Sequence, residues 1–249
     1  MAVLHLLGTG AAFSDASRTT TMLAFEHLGH TLVVDCGGDV VQRLLVSGID
    51  VDSIEAMIVT HEHADHVGGF PLFMEKIWLA GRRRPIPVHG IEPAIAQARR
   101  AWESFDTKGW KGVPEIQWHA VKHAPGAEVL RNERWRVTAS PGIHPVPVVG
   151  LRIEAAGAGI AAYSCDTAPS PEITALARGA DILVHEAQAT PVPGVHSTYA
   201  QAAQVAFEAG ARRLVLVHLP PGVKDEDLED ARKVFAHTEL GEDGGRREF

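Results

Sequence analysis

Short apolar runs alternate with amphipathic stretches along most of this chain. The apolar runs predict strands at residues 2–7, 20–26, 31–35, 54–59, 85–89, 115–121, 127–131, 134–139, 148–154, 160–164, 181–185 and 213–217. Apolar positions three and four apart predict helices at 92–105, 171–178, 197–209 and 224–236, and two more that start near Asp39 and Val67. This order of strands and helices predicts an α/β protein.

The rest of the pattern indicates one domain. No linker, internal repeat or low-complexity segment interrupts residues 1–238, and the polar residues 239–249 are expected to form a frayed tail. With 249 residues and 45% hydrophobic side chains, the chain is long enough for a large single core.

Membrane insertion and secretion are not expected. No run of about 18 apolar residues is present, so no membrane span is predicted. The amino terminus lacks a basic region, and it is interpreted as a first strand rather than a signal peptide. Two cysteines, Cys36 and Cys165, are too few for a disulfide framework and favour a reducing cytoplasm.

The net charge of −8 argues against an extensive nucleic-acid surface, because phosphate contacts need clustered Lys and Arg. Basic runs do occur at 82–84 and 99–100, where they are interpreted as solvated helix ends and loops. A pocket for a single phosphate needs far fewer cations, so phosphate chemistry stays open.

The segment after strand 54–59 carries the strongest chemical signal. Within residues 60–66 the sequence Thr-His-Glu-His-Ala-Asp-His places His61, His63, Asp65 and His66 close together. Imidazole and carboxylate ligands suit zinc or a similar divalent metal better than calcium or magnesium. Four candidate ligands at this density predict a metal site.

Other strands end in groups of the same kind. The strand ends and the residues that follow them are 160–164 with Asp166, 182–184 with His185 and Glu186, and 214–217 with His218. Open sheets place ligands beyond the carboxyl ends of their strands, so we expect these side chains to meet there. With His144 from a proline-rich loop, they provide enough ligands for two metals that share one carboxylate.

These motifs resemble the metallo-β-lactamase superfamily, and within it the ribonuclease Z-like branch. The resemblance rests on Gly-Thr-Gly-Ala-Ala at 8–12, His-x-His-x-Asp-His at 61–66, His144 with the Pro-Val-Pro-Val-Val-Gly that follows it, Tyr-Ser-Cys-Asp-Thr at 163–167, His-Glu-Ala at 185–187, His-Ser-Thr at 196–198 and His218. The matching motifs span residues 8–218 in the expected order. The resemblance implies a four-layer αβ/βα sandwich with two zinc ions at one edge of its sheets.

The resemblance also implies a role for each residue. The first metal would be held by His61, His63 and His144, the second by Asp65, His66 and His218, and Asp166 would bridge them. Two zinc ions, with manganese or iron(II) as alternatives, would activate a bridging hydroxide. Asp65 would also act as general base, and His196, oriented by Glu186, would assist the leaving oxygen.

Several neighbouring residues have simpler interpretations. His185 is interpreted as a buried core or supporting histidine rather than a ligand. His119 and His123 are the only rivals of His144, which is preferred because the sequence after it matches the branch. Cys165 is interpreted as a small buried residue beside Asp166.

Two departures from ribonuclease Z shift the expected substrate. Only 22 positions separate His144 from Asp166, where ribonuclease Z enzymes insert a long arm that holds transfer RNA. His218 is followed by Leu-Pro-Pro-Gly, where that family has a serine and an Arg-Tyr pair.

The leading hypothesis is therefore a metal-dependent phosphodiesterase or small nuclease that acts on a small phosphodiester or short nucleic acid. The alternatives are hydrolysis of a thioester, lactone or β-lactam, and a non-catalytic carrier or binding protein. A homodimer is expected from the family alone.

Overall fold

The computed structural model describes all residues from Met1 to Phe249, which form fourteen strands and seven α-helices. The strands are β1 (Ala2–Gly8), β2 (Met22–His27), β3 (His30–Val34), β4 (Ile54–Val59), β5 (Ile86–Ile91), β6 (Ile116–Val121), β7 (Ala127–Arg131), β8 (Trp135–Pro141), β9 (Val149–Ala155), β10 (Ile160–Tyr163), β11 (Ile182–Glu186), β12 (Leu214–Val217), β13 (Thr238–Leu240) and β14 (Gly245–Glu248). The helices are α1 (Val40–Val46), α2 (Ala64–Val67), α3 (Phe70–Leu79), α4 (Glu92–Glu103), α5 (Pro171–Leu176), α6 (Tyr199–Ala209) and α7 (Glu229–Val234).

The strands build two seven-stranded mixed sheets. The first sheet has the order β14-β1-β2-β3-β4-β5-β6, and the second has the order β13-β12-β11-β10-β9-β8-β7. Strands β3 to β6 run parallel, as do β10 to β13, so each sheet has one edge where several carboxyl ends meet. This arrangement places the residues that follow β4, β10, β11 and β12 near one another.

Two apolar cores hold four layers together. The larger one joins 49 buried residues from both sheets and from α1, α3 and α4, and the smaller one joins 17 from α6, α7, the second sheet and the loops beside them. The helices therefore cover the outer faces of two packed sheets, as the predicted αβ/βα sandwich requires. The fold class expected from the sequence is confirmed.

Local sequence signals set the bounds of the helices. Thr198 caps α6 by accepting from the backbone N–H of Gln201, whose own side chain accepts from the Thr198 N–H. Gly210 ends the same helix with φ +63°, a left-handed conformation that favours glycine. Residues 225–228 form a 3-10 helix and only Glu229–Val234 form the α-helix α7. The α-helix is therefore shorter than the one predicted at 224–236.

The prediction of a frayed tail at 239–249 is wrong. Strand β14 pairs with the edge of β1, and β13 pairs with β12 in the other sheet. The Phe249 ring packs edge-on against Phe25 with centroids 6.2 Å apart. The tail is polar because β14 is an outer strand with one exposed face, and its pairing satisfies backbone groups that β1 would otherwise leave open.

No helix in the structure is long and apolar enough to cross a membrane.

Candidate metal centre

The side chains predicted to bind metal meet at the carboxyl ends of the strands. After β4, the chain passes through His61 and then caps α2 with His63, while Asp65 and His66 lie within that helix. Asp166 follows β10 and His218 follows β12 directly, and the loop after β8 supplies His144. The structure thus brings together residues from four separate segments of the chain.

The backbone at these strand ends is strained. Asp35, Cys165 and His218 adopt φ values of 62°, 53° and 53°, and they are three of the four non-glycine residues with positive φ in the chain. Such conformations cost of order 1–3 kcal/mol each and persist at functional sites when surrounding contacts fix them. The backbone conformation therefore marks this edge as a candidate functional site, in addition to the chemistry of its side chains.

One glycine allows two loops to meet beneath the site. A Cβ atom at Gly37 would lie 1.7 Å from the Asp65 carbonyl oxygen, so any side chain there would displace the loop that carries Asp65.

The candidate ligand atoms form four groups, of which two share Asp166 and the others are His61, His66 and Cys165, and Glu186, His196 and His218. We refer to the two groups that share Asp166 as the two clusters. Within each cluster the atoms lie within 4.8 Å of one another, and the clusters are His61, His63, His144 and Asp166, and Asp65, His66, Asp166 and His218. In the first, His144 Nε2 lies 3.3 Å from His63 Nδ1. In the second, His218 Nε2 lies 3.2 Å from Asp166 Oδ2 and 3.4 Å from Asp65 Oδ2.

Several ligand atoms in these clusters have no hydrogen-bond partner although they are buried. They are His61 Nε2, His66 Nε2, His218 Nε2 and Asp166 Oδ1. A buried polar atom without a partner typically costs about 1–3 kcal/mol. Three nitrogens and one oxygen that converge in this way fit a borderline divalent metal such as zinc.

The opposite ring nitrogens of two histidines are held by the protein. His66 Nδ1 donates to Asp35 Oδ2 at 2.8 Å, and His144 Nδ1 donates to the Val195 carbonyl oxygen at 3.0 Å. Such bonds fix the tautomer that leaves Nε2 free to bind a metal.

Asp35 is a supporting residue that the sequence analysis missed. Its buried carboxylate also accepts from the Thr60 N–H at 2.9 Å and from the Thr60 hydroxyl. The signal was present, because Asp35 follows β3 at the same sheet edge as the other functional residues.

Glu186 and His196 form a hydrogen-bonded pair beside both clusters. His196 Nδ1 donates to Glu186 Oε1 at 3.0 Å, and the same oxygen accepts from the backbone N–H groups of Thr167 and Ser197 at 2.9 and 3.2 Å. The His196 ring centre lies 5.2 Å from that of His218 and 5.5 Å from that of His144. His196 is thus placed to contact a substrate bound at the clusters.

The charges of the site perturb its protonation. Burial alone would raise the pKa of Asp65, but the nearby imidazoles of His218 and His66 lower it to about 2. Burial lowers the pKa of His61 to about 2, with a further contribution from His66. Asp65 is therefore ionised and His61 neutral at pH 7, the forms that bind metal.

His66 and Glu186 shift in the opposite direction. Burial opposes the charged form of His66, but Asp166 and Asp35 raise its pKa well above the usual value. Burial raises the pKa of Glu186, and the hydrogen bond from His196 opposes that shift. A proton on His66 therefore balances the nearby carboxylates in the absence of another cation.

Three histidines that the sequence analysis set aside lie outside both clusters. His185 is fully buried, its Nδ1 lies 2.7 Å from the Glu186 carbonyl oxygen, and burial lowers its pKa to about 4. His119 stacks on His89 with centroids 4.7 Å apart, and His123 Nε2 lies 3.1 Å from the Val148 carbonyl oxygen.

The Cys165 thiol is buried next to the first cluster. Its Sγ lies 2.9 Å from the Thr60 hydroxyl and 3.5 Å from His61 Nδ1, and burial raises its pKa well above the usual value. Because Cys165 lies outside the two groups that share Asp166, its packing in the interior is sufficient to explain it.

A comparison with family models identifies the superfamily. The model described as "Beta-lactamase superfamily domain" matches residues 30–219, well over half of the chain. The chain belongs to the β-lactamase superfamily. The matched range includes every residue of the two clusters and the Glu186–His196 pair.

Several curated proteins that are similar to this chain are named ribonuclease Z. The protein from Methanothermobacter thermautotrophicus is 28% identical, with 98% of this chain and 95% of the relative covered. The protein from Mycobacterium sp. (strain KMS) is 31% identical, with 98% and 94% covered. The first alignment spans 299 positions against 249 residues here, so that relative has insertions of at least 50 positions.

Solved structures confirm the fold. The metallo-β-lactamase fold protein YhfI from Bacillus subtilis has a TM-score of 0.82 and 25% identity, covering 100% of this chain and 99% of that one. The short form of human tRNase Z has a TM-score of 0.81 and 23% identity with the same coverage, a likeness that concerns the fold alone.

Proposed function

We propose that this protein is a metal-dependent phosphodiesterase or small nuclease with two divalent ions, zinc foremost and manganese or iron(II) as alternatives. The proposed ligands are His61, His63 and His144 for one ion and Asp65, His66 and His218 for the other, with Asp166 shared.

The four unpartnered buried atoms carry this proposal. His61 Nε2, His66 Nε2, His218 Nε2 and Asp166 Oδ1 face one another at the sheet edge without hydrogen bonds. Bound metal ions would give each of these atoms the partner that it lacks within the protein.

The residues around the ions would divide the chemistry. Two bound ions would supply Lewis-acid activation of a water molecule and stabilise negative charge on a phosphoryl group. Asp65, ionised at neutral pH, can take the proton of the attacking water as general base. His196 can donate a proton to the leaving oxygen while Glu186 orients its ring.

The pair Glu186–His196 favours a phosphodiester over a thioester, because an alkoxide leaving group needs a proton donor more than a thiolate does. The name ribonuclease Z, which both curated relatives described above carry, supports the same bond type. Since those relatives are longer, we propose a small phosphodiester or short nucleic acid as substrate.

Hydrolysis assays with and without metal test the proposed function. The purified protein should hydrolyse bis(p-nitrophenyl) phosphate, lose this activity with a chelator and regain it with zinc. A thioester and a lactone serve as matched substrates for the alternative reaction. Faster turnover of either one than of the phosphodiester would replace the proposed reaction, and no turnover of any with two metals bound would assign a binding role.

Two further properties remain proposals. Both cysteines are free and buried, which supports a reducing cytoplasmic environment. A homodimer is supported by apolar side chains that α1 and α3 leave largely exposed, namely Leu45, Val46 and Leu79. Sedimentation at several concentrations would test the dimer.

A further inference from the structure

A surface at the other end of the first sheet combines tryptophan rings with cations. We call it the basic–aromatic surface, and it comprises residues 104–111 together with Trp78, Arg83, Arg99 and Trp102. The rings of Trp78 and Trp110 stack with centroids 4.8 Å apart and planes 12° from parallel, and Trp102 meets Trp110 edge-on at 6.2 Å. These contacts join α3, α4 and the segment that leads to β6 into one continuous surface.

Hydrogen bonds and one cation–π contact link the basic residues to the tryptophans. Arg83 Nη1 donates to the Trp78 carbonyl oxygen at 3.0 Å, and Trp78 Nε1 donates to the Lys111 carbonyl oxygen at 3.0 Å. The Arg99 guanidinium lies 5.3 Å from the centre of the Trp118 ring on β6. Aromatic rings and positive charges are therefore interleaved.

The charge of this region is opposite to that of the rest of the protein. Residues 70–121 hold eight Lys and Arg against five Asp and Glu, a net charge of +3, whereas the remainder holds 15 and 26, a net charge of −11. The ion pairs of this segment are Lys76 with Asp39 and Arg84 with Asp52. Six of its cations therefore have no acidic partner: the buried Arg82, and Arg83, Arg99, Arg100, Lys108 and Lys111.

The basic–aromatic surface is separate from the proposed metal centre. Residues 104–115 precede β6, so they lie at the edge where the parallel strands β4, β5 and β6 begin. The metal centre lies beyond the opposite ends of these strands. A six-residue strand spans about 20 Å, and this length separates the two regions. A ligand bound at the basic–aromatic surface therefore does not contact the metal ligands.

We propose that the basic–aromatic surface binds single-stranded nucleic acid. Unpaired Lys and Arg side chains can contact successive phosphates, and exposed rings such as Phe105 can stack with bases. Protein interfaces are depleted in lysine at their centres, which disfavours a protein partner for a surface bearing Lys108 and Lys111. The net charge of −8 does not reveal this basic region, because the acidic remainder of the chain outweighs it.

A charge-neutralised variant tests the phosphate contacts. Fluorescence anisotropy with a labelled oligouridylate of about 16 nucleotides, in the presence of a chelator to prevent cleavage, reports binding alone. The double variant Lys108→Gln/Lys111→Gln should lower the slope of log affinity against log salt by about 1.4, since each single-strand contact contributes about 0.7. At 0.1 M salt this corresponds to about 25-fold weaker binding.

Arg178→Gln/Arg246→Gln is the matched control, because it removes two exposed and unpaired cations outside the segment. It should bind the oligonucleotide like the unmodified protein. Equal losses in the two double variants would show that net charge alone attracts the RNA and would overturn the proposal. So would unchanged affinity in Lys108→Gln/Lys111→Gln.

An aromatic pair of variants tests base stacking. Phe105→Ala should weaken binding about 5- to 150-fold, the usual contribution of one stacked base, while Phe207→Ala, an equally exposed phenylalanine on α6, should not. If Phe105→Ala instead dissociates an oligomer and leaves RNA affinity unchanged, the surface belongs to a second copy of this chain and the proposal is wrong. Because hydrolysis of bis(p-nitrophenyl) phosphate is measured separately, failure of RNA binding and failure of the proposed catalytic function are distinguishable.

Discussion

Replacement of Asp35 by asparagine tests how the protein prepares His66 for a metal. The Asp35 carboxylate accepts from the fixed Thr60 N–H through Oδ1 and from His66 Nδ1 through Oδ2, at 2.9 and 2.8 Å. Asparagine has nearly the same shape but only one accepting oxygen. Its amide can therefore satisfy one of these two buried donors and must present an N–H group to the other.

Either orientation of the amide has a cost that the structure allows us to estimate. If the amide oxygen faces Thr60, the N–H group faces His66 and forces the proton of that ring onto Nε2, the atom proposed to bind metal. If it faces His66, the Thr60 N–H is left unpaired in the interior. A buried donor without a partner costs about 1–3 kcal/mol, so zinc affinity at the second site should fall roughly 10- to 100-fold.

Zinc affinity measured by competition with a chromophoric chelator provides the assay. Asp39→Asn is the control, because Asp39 lies four residues away, caps α1 through Gln42 and pairs with Lys76 away from the histidines. Its zinc affinity should equal that of the unmodified protein. Two tight sites in Asp35→Asn, or an equal loss in Asp39→Asn, would refute the proposed support of His66.

Three other changes test separate parts of the molecule. His196→Ala should retain both metals yet hydrolyse phosphodiesters about 10²–10⁴ times more slowly, and loss of metal would instead make His196 a ligand. Because His185 has its pKa lowered to about 4, the unfolded state binds more protons below pH 6.5, and stability falls as pH drops toward 4. Between pH 7 and 5 the unmodified protein should thus lose about 2 kcal/mol more unfolding free energy than His185→Leu in chemical denaturation, and parallel losses would contradict the buried neutral ring. Deletion of residues 241–249 uncovers the β1 edge and should lower Tm and promote aggregation in light scattering, whereas an unchanged Tm would show that β14 adds no stability.

The sequence predicted which side chains meet at the sheet edge, because most of the candidate ligands closely follow apolar strands. His61, Asp166 and His218 each come within three residues of a strand end, so the rule for open sheets placed them together. The division of ligands between two ions was not accessible from spacing, because it depends on which side chains face each other across loops. It came only from the resemblance to the superfamily.

Asp35 and the carboxyl-terminal strands show where the sequence pattern is insufficient. Asp35 stands alone after β3 with no neighbouring ligand, so its bond to His66 could be recognised only once β3 and β4 were seen to be adjacent. Strand β14 is short and polar, and its pairing partner lies more than 230 positions earlier in the chain. Long-range pairing of this kind leaves no periodic signal in the strand itself.

The proposed centre predicts a specific result in a crystal structure of the zinc-loaded protein. Anomalous scattering at the zinc edge should show two peaks about 3.5–4 Å apart, each close to its own histidines and both within bonding distance of Asp166. One zinc peak, or two peaks that do not share Asp166, would contradict the proposed two-metal centre.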